Sequence, residues 1–218
     1  MKLEVGESLI YSWLRHVKGC QVVQMNWKRS PVWTFHNEDK IEQLRHAFEE
    51  HYKEYSNFFG KKKKGQRHEQ ILKQAEVDVL GLSMSGGAVK YYAVDVAFHE
   101  GGLGYPDNVK KVTEKILRMA MCVYGYFNTT EGEIIFATPK VGLTDWKDLE
   151  PCESRISDLL KNNGLDFKIQ IIANVTDRTK IINDRFQREI LEPVQAVADK
   201  VKDMSELFLR SYKLLICK

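Results

Sequence analysis

Two nine-residue runs, Glu76–Met84 (EVDVLGLSM) and Lys90–Phe98 (KYYAVDVAF), constrain the fold of this chain more than any other feature. Both are rich in valine and other strand formers, and Ser85-Gly86-Gly87 lies between them, a composition suited to a tight reversal. Together they predict an antiparallel hairpin. Each run carries an aspartate flanked by valines, Val77-Asp78-Val79 and Val94-Asp95-Val96. Side chains alternate along a strand, so Glu76 and Asp78 share one face, as do Asp95, Ala97 and His99. Lys90 is an odd number of residues from Asp95 and is expected to point the other way. A carboxylate on a buried strand is costly unless it is paired or holds a cation. Facing carboxylates on neighbouring strands repel, and a hard divalent cation such as Mg²⁺ relieves that repulsion.

The rest of the chain alternates helices and strands. Helical spacing of Leu9, Ile10, Trp13, Leu14 and Val17 predicts a helix over 7–17, ended by Gly19, with a strand at Gln21–Trp27. Asn37 is the expected N-cap of a long helix whose apolar stripe is Ile41, Leu44, Phe48, Tyr52 and Tyr55. A loop containing Lys61-Lys62-Lys63-Lys64 follows, since four adjacent like charges repel and stay in solvent, then a short helix near 67–74. After the hairpin, a helix is expected over Asn108–Tyr126, with Val109, Val112, Ile116, Met119, Ala120 and Val123 buried. A strand at Glu133–Ala137, a helix at 145–162 and a strand at 167–174 come next. A helical C-terminal segment from about 176, kinked or divided at Pro193, completes the chain. The fold class expected is α/β, a mixed central β-sheet with helices on both faces, in a single domain over 1–218.

Composition narrows the function classes only modestly. The chain is 43% hydrophobic and 29% charged with a net charge of +3, which is globular and neither demands nor excludes a nucleic-acid partner. With no long apolar run and with acids near the N-terminus, the expected protein is cytoplasmic, without a membrane partner. The scattered cysteines Cys20, Cys122, Cys152 and Cys217 show no zinc spacing and are expected to be reduced. Gly101-Gly102-Leu103-Gly104 follows a strand and precedes a helix but lacks the spacing of a dinucleotide fingerprint. Trp13, Trp27 and Trp33 with Tyr11 are expected in the core or an interface rather than in a base-stacking platform.

Over residues 38–140 the pattern resembles the PD-(D/E)XK, or restriction-endonuclease-like, nuclease superfamily. The resemblance implies a helix, a hairpin, a crossover helix and a further strand, with one acid on the first active-site strand and an acid-x-Lys on the next. By position Asp78 matches the first acid and Asp95 the second. The helix at 108–126 matches the crossover helix. The preceding long helix matches one that often lends a further glutamate, for which Glu50 is one candidate. The expected metal ligands are therefore Asp78 and Asp95, with Glu76 or Glu50, holding Mg²⁺ or Mn²⁺. The motif lysine should stand at position 97, where the chain has Ala97. His99 is expected to substitute for it, or a lysine to reach in from elsewhere.

These implications lead to an expected metal-dependent phosphodiester hydrolase, a nuclease acting on DNA rather than RNA and compatible with a homodimer. Asp78, Asp95 and His99 would form its catalytic set, and Lys61, Lys62, Lys63, Lys64, Lys110 and Lys111 would track phosphates. Three alternatives stay open on the residues alone. Asp78 and Asp95 can be strand acids paired with Lys or Arg. The chain can be a catalytically inactive nuclease-like protein that binds nucleic acid or a protein. It can also be an α/β subunit of an assembly with no nucleic-acid role.

Overall fold

The computed structural model describes residues 5–30, 32–33, 36–55, 58–59, 77–98 and 101–201. A six-stranded mixed sheet organises them, with strands β1 (Val22–Trp27), β2 (Val77–Ser85), β3 (Ala88–Val96), β4 (Glu131–Gly142), β5 (Asp166–Asp177) and β6 (Lys180–Asp184) side by side in chain order. β1, β2 and β3 are antiparallel, β3, β4 and β5 are parallel, and β6 returns antiparallel on β5. The helices are α1 (Val5–Ser12), α2 (Glu38–His51), α3 (Asn108–Phe127), α4 (Leu143–Asn162) and α5 (Glu192–Val201). The α/β class with helices on both faces is therefore observed. No helix among the described residues is long and apolar enough to cross a membrane.

The predicted hairpin forms, and Ser85 pairs with Ala88 across Gly86-Gly87. Both glycines have positive φ, 59° and 84°, the backbone that a two-residue turn needs to match strand twist. α3 and α4 are the crossovers of the two parallel steps, β3 to β4 and β4 to β5. They share one face of the sheet with α2 over a core that includes Phe48, Ile116, Phe136 and Phe167. The other face is covered by α1 and α5 and the turns attached to them, through Trp13, Leu14, Phe186 and Ile190. Burying each such side chain stabilises the fold by roughly 1.5–3 kcal/mol. Cys20, Cys122 and Cys152 are buried free thiols within these cores, as expected; Cys217 lies outside the described residues.

Several local expectations are corrected. The first helix converts at Trp13 into a π-helical turn ending at Val17. Asn37 is not a side-chain cap: it adopts φ 59°, and its amide donates instead to Asn128 Oδ1 at 2.7 Å. α2 stops at His51, so Tyr52 and Tyr55 of the expected stripe lie beyond it. β5 runs on to Asp177 and β6 follows, where a helix had been expected from about 176. Pro193 does not divide a helix but sits in the first turn of α5, after a π-helical turn at Gln187–Leu191. A proline there leaves the Glu189 carbonyl without its usual helical donor. Trp13 supplies one, its indole N–H donating to that oxygen at 2.8 Å. The Lys61–Lys64 run and the short helix expected near 67–74 lie outside the described residues.

β5 extends past its pairing with β6, and side chains occupy the backbone groups there. Glu153 accepts from the Ile171 N–H at 3.0 Å, and Arg185 donates to the Ile171 carbonyl at 3.2 Å. Filling those groups blocks another strand from adding at that point. At the start of β4, Gly132 has φ 152°, and a Cβ there would lie 2.9 Å from the Tyr91 carbonyl oxygen. Backbone cannot yield as a side chain can. Gly132→Ala is therefore expected to lower stability by about 2 kcal/mol in urea denaturation.

Candidate functional site

Asp78 and Asp95 meet where the β2–β3 ladder ends. Backbone pairing of the two strands stops at Val79 and Val94. One residue further on, Asp78 Oδ2 accepts from the Val96 N–H at 2.7 Å, so a side chain takes the position of a ladder carbonyl. Asp95 is buried, at 5% exposure. Both its carboxylate oxygens accept from Lys115 Nζ, at 2.6 and 2.8 Å.

Lys115 arrives from the crossover helix. Asp107 caps α3, its Oδ1 accepting from the Lys110 N–H at 2.8 Å. The helix then runs back over the sheet with Val112, Ile116 and Met119 buried. Lys115 lies between these apolar positions, which brings its stem over the sheet and its ammonium to Asp95. The Tyr105 ring stands 6.0 Å from that ammonium. Glu7, buried on α1, accepts from Asn26 Nδ2 at 2.6 Å, and Asn26 is the penultimate residue of β1.

The electrostatics follow from this crowding. Burial, then the charge of Asp95, pushes the Asp78 carboxyl up to about 7, and Glu7 adds to the push. The Val96 N–H and Lys115 oppose it without prevailing. Burial works against the Lys115 ammonium, but the charge of Asp95 and its hydrogen bonds outweigh burial and hold the group above its ordinary value. Lys115 is therefore a fixed positive charge rather than a base. Burial also raises the Tyr105 hydroxyl, against the pull of Lys115. The arrangement sets two carboxyl groups side by side with one ammonium group against them, and carboxylate oxygens are the donors that hard divalent cations take. Among the described residues no group of three or more His, Cys, Asp or Glu side chains is placed to hold a metal ion.

Of the residues singled out from sequence, the structure brings Asp78 and Asp95 together and separates others from them. Glu50 is exposed on α2 and pairs with Lys53 at 3.3 Å, not with the aspartates. Lys90 does point elsewhere, donating to the buried Glu133 at 2.6 Å. Gln170 donates to the same carboxylate at 2.7 Å, and Lys18 lies 3.6 Å from it. Lys111 lies 3.9 Å from Glu114, and Lys110 is half-buried in the first turn of α3. Glu76, His99 and Lys61, Lys62, Lys63 and Lys64 lie outside the described residues. Lys115, Tyr105 and Glu7 were not singled out. The usable signal for Lys115 was its place one residue before Ile116 on the apolar stripe of an amphipathic helix, where a lysine needs a partner.

No family model, curated protein or solved structure matches this chain.

Proposed function

We propose that the protein is a metal-dependent phosphodiester hydrolase acting on nucleic acid. The observation that carries this reading is the contact of Lys115 with Asp95. An acid-x-Lys motif would present a lysine from position 97 of the same strand. This chain has Ala97 there and delivers an ammonium group to the second acid from α3 instead. Asp78 and Asp95 would hold Mg²⁺ or Mn²⁺, with the charge of Glu7 also acting on Asp78. A bound ion would lower the pKa of a water and offset charge on the scissile phosphate. Lys115, kept protonated by Asp95, would donate to a phosphate oxygen or orient the attacking water. The Val96 N–H fixes the rotamer of Asp78, so one carboxylate oxygen is tied to the backbone and the other is left to act.

Two measurements test the reading together. Millimolar Mg²⁺ is expected to raise the melting temperature of the wild type at pH 8 and not that of Asp78→Asn, because a ligand specific to the folded state stabilises by mass action. With Mg²⁺ or Mn²⁺ the wild type is expected to cut plasmid or oligonucleotide substrates, EDTA to stop it, and Asp78→Asn to slow it on the order of a hundredfold. No thermal response and no cleavage across DNA and RNA substrates would sink the proposal.

One observation favours a second reading, a nuclease-like protein that binds without cutting. Lys115 already neutralises Asp95, which needs no metal in that pair. Under this reading nucleic acid binds with a steep salt dependence while neither metal addition nor Asp78→Asn changes the outcome.

A further inference from the structure

The loop leaving β1 beside the candidate site carries an aromatic and basic surface. Trp27 ends β1 opposite Val77, the residue before Asp78. Its indole is buried and forms a floor on which Trp33 rests, with ring centroids 6.1 Å apart. Tyr126 and Phe127, at the end of α3, close the other sides of Trp27 at 6.0 and 5.5 Å. Trp33 itself is 45% exposed. Of the tryptophans expected in the core or an interface, Trp13 and Trp27 are therefore in the core and Trp33 is at the surface.

Hydrogen bonds anchor this loop. The Trp33 N–H donates to the Ser30 carbonyl at 3.1 Å, and the His36 N–H donates to the Gly125 carbonyl at 2.8 Å. Two cations flank the floor. Lys28 is exposed next to Trp27, and the Arg29 guanidinium lies 5.8 Å from the centroid of Tyr126. A half-exposed indole set on other rings, with cations alongside, suits a ligand with flat π-faces and a negatively charged backbone.

We propose that Trp33 is a base-stacking platform and that the site beside it takes single-stranded nucleic acid, with Lys28 and Arg29 on its phosphates. The assignment of a substrate rests on the hydrolase reading; the stacking surface itself does not. A base inside a duplex has both faces covered by its neighbours, so an indole can stack only on an unpaired base. The two cations match phosphate charge. The platform and Asp78 are joined through the pairing of Trp27 with Val77, which sets a stacked base near the strand end that carries the acid.

The test is a fluorescence-anisotropy titration of the full chain, without divalent metal, using labelled oligo-dT, oligo-rU and a blunt DNA duplex. Wild type is expected to bind at least one single strand more tightly than the duplex, and the two single-strand arms tell DNA from RNA. Trp33→Ala is expected to weaken single-strand binding at least about fivefold and to leave duplex binding unchanged. Trp33→Phe, which keeps a ring over Trp27, is expected to retain most of the affinity and keeps the test decisive if the alanine variant loses its fold. Arg29→Gln is expected to reduce the salt slope by about one. Equal affinity for single strand and duplex overturns the platform, as does single-strand affinity unchanged in Trp33→Ala. Self-association that Trp33→Ala abolishes, with no oligonucleotide binding, makes the surface a protein interface and also overturns it. Cleavage without Trp33-dependent binding removes the platform and leaves the hydrolase standing. Trp33-dependent single-strand binding without cleavage supports the platform and removes the hydrolase.

Discussion

Replacing Asp78 with asparagine is expected to stabilise the metal-free protein at pH 8 by about 2–4 kcal/mol and to have little effect below about pH 4. The Asp78 carboxyl is raised from 3.8 to about 7 in the fold. Between those two values the folded chain holds a proton that the unfolded chain has released. Stability from this group is thus complete below the unfolded pKa and is lost as pH rises through about 7. Asparagine never ionises and escapes that loss, while its carbonyl oxygen can still accept from the Val96 N–H. Urea midpoints of both proteins measured from pH 4 to pH 8 read the difference directly. Parallel curves at every pH would mean that Asp78 ionises freely and that the two acids are not crowded. A substitution that stabilises the fold while abolishing metal response marks a position held for function rather than for stability.

The opposite sign is expected at Lys115. Lys115→Met keeps the apolar stem against the sheet and removes the charge that neutralises the buried Asp95 carboxylate. Removing one member of such a pair costs about 3–5 kcal/mol when both are fully buried, and about 3 kcal/mol here because the Lys115 side chain is 25% exposed. Asp95→Asn in the same background is expected to recover most of the loss, since the buried charge that Lys115 had neutralised is then gone. The single substitution also removes a cation that pulls the Asp78 carboxyl down, so that group is expected to move further up. Equilibrium urea unfolding of the two single variants and the double variant completes the cycle. Additive losses would place Lys115 and Asp95 in independent environments.

The hairpin illustrates what local sequence can decide. Alternating valines set the strand period, and Gly86-Gly87 accepts the positive φ of a two-residue turn, so β2 and β3 follow from neighbours in the chain. α3 was equally legible from its apolar stripe. β6 was not. Its residues Lys180–Asp184 include Ile181 and Ile182, both more than half exposed. The turn before β6 has a positive φ at Arg178 rather than at a glycine. β6 is a strand because the far end of β5 offers it backbone partners, and no local pattern records that offer.

The same division runs through the candidate site. Placement on strands between valines singled out Asp78 and Asp95, and hairpin register then set them across from each other. The sequence alone therefore determined which two acids would crowd and that one of them would need relief. It did not determine which cation supplies that relief. Along strand β3 the position for a lysine is Ala97, and Lys90 points to Glu133 instead. Lys115 reaches Asp95 only because α3 crosses back over β3, at an angle and distance set by packing of Val112 and Ile116 against the sheet. Strand faces are fixed by a two-residue period within one segment, whereas a helix-to-strand contact depends on how two separately formed elements dock, and docking is decided by the whole core.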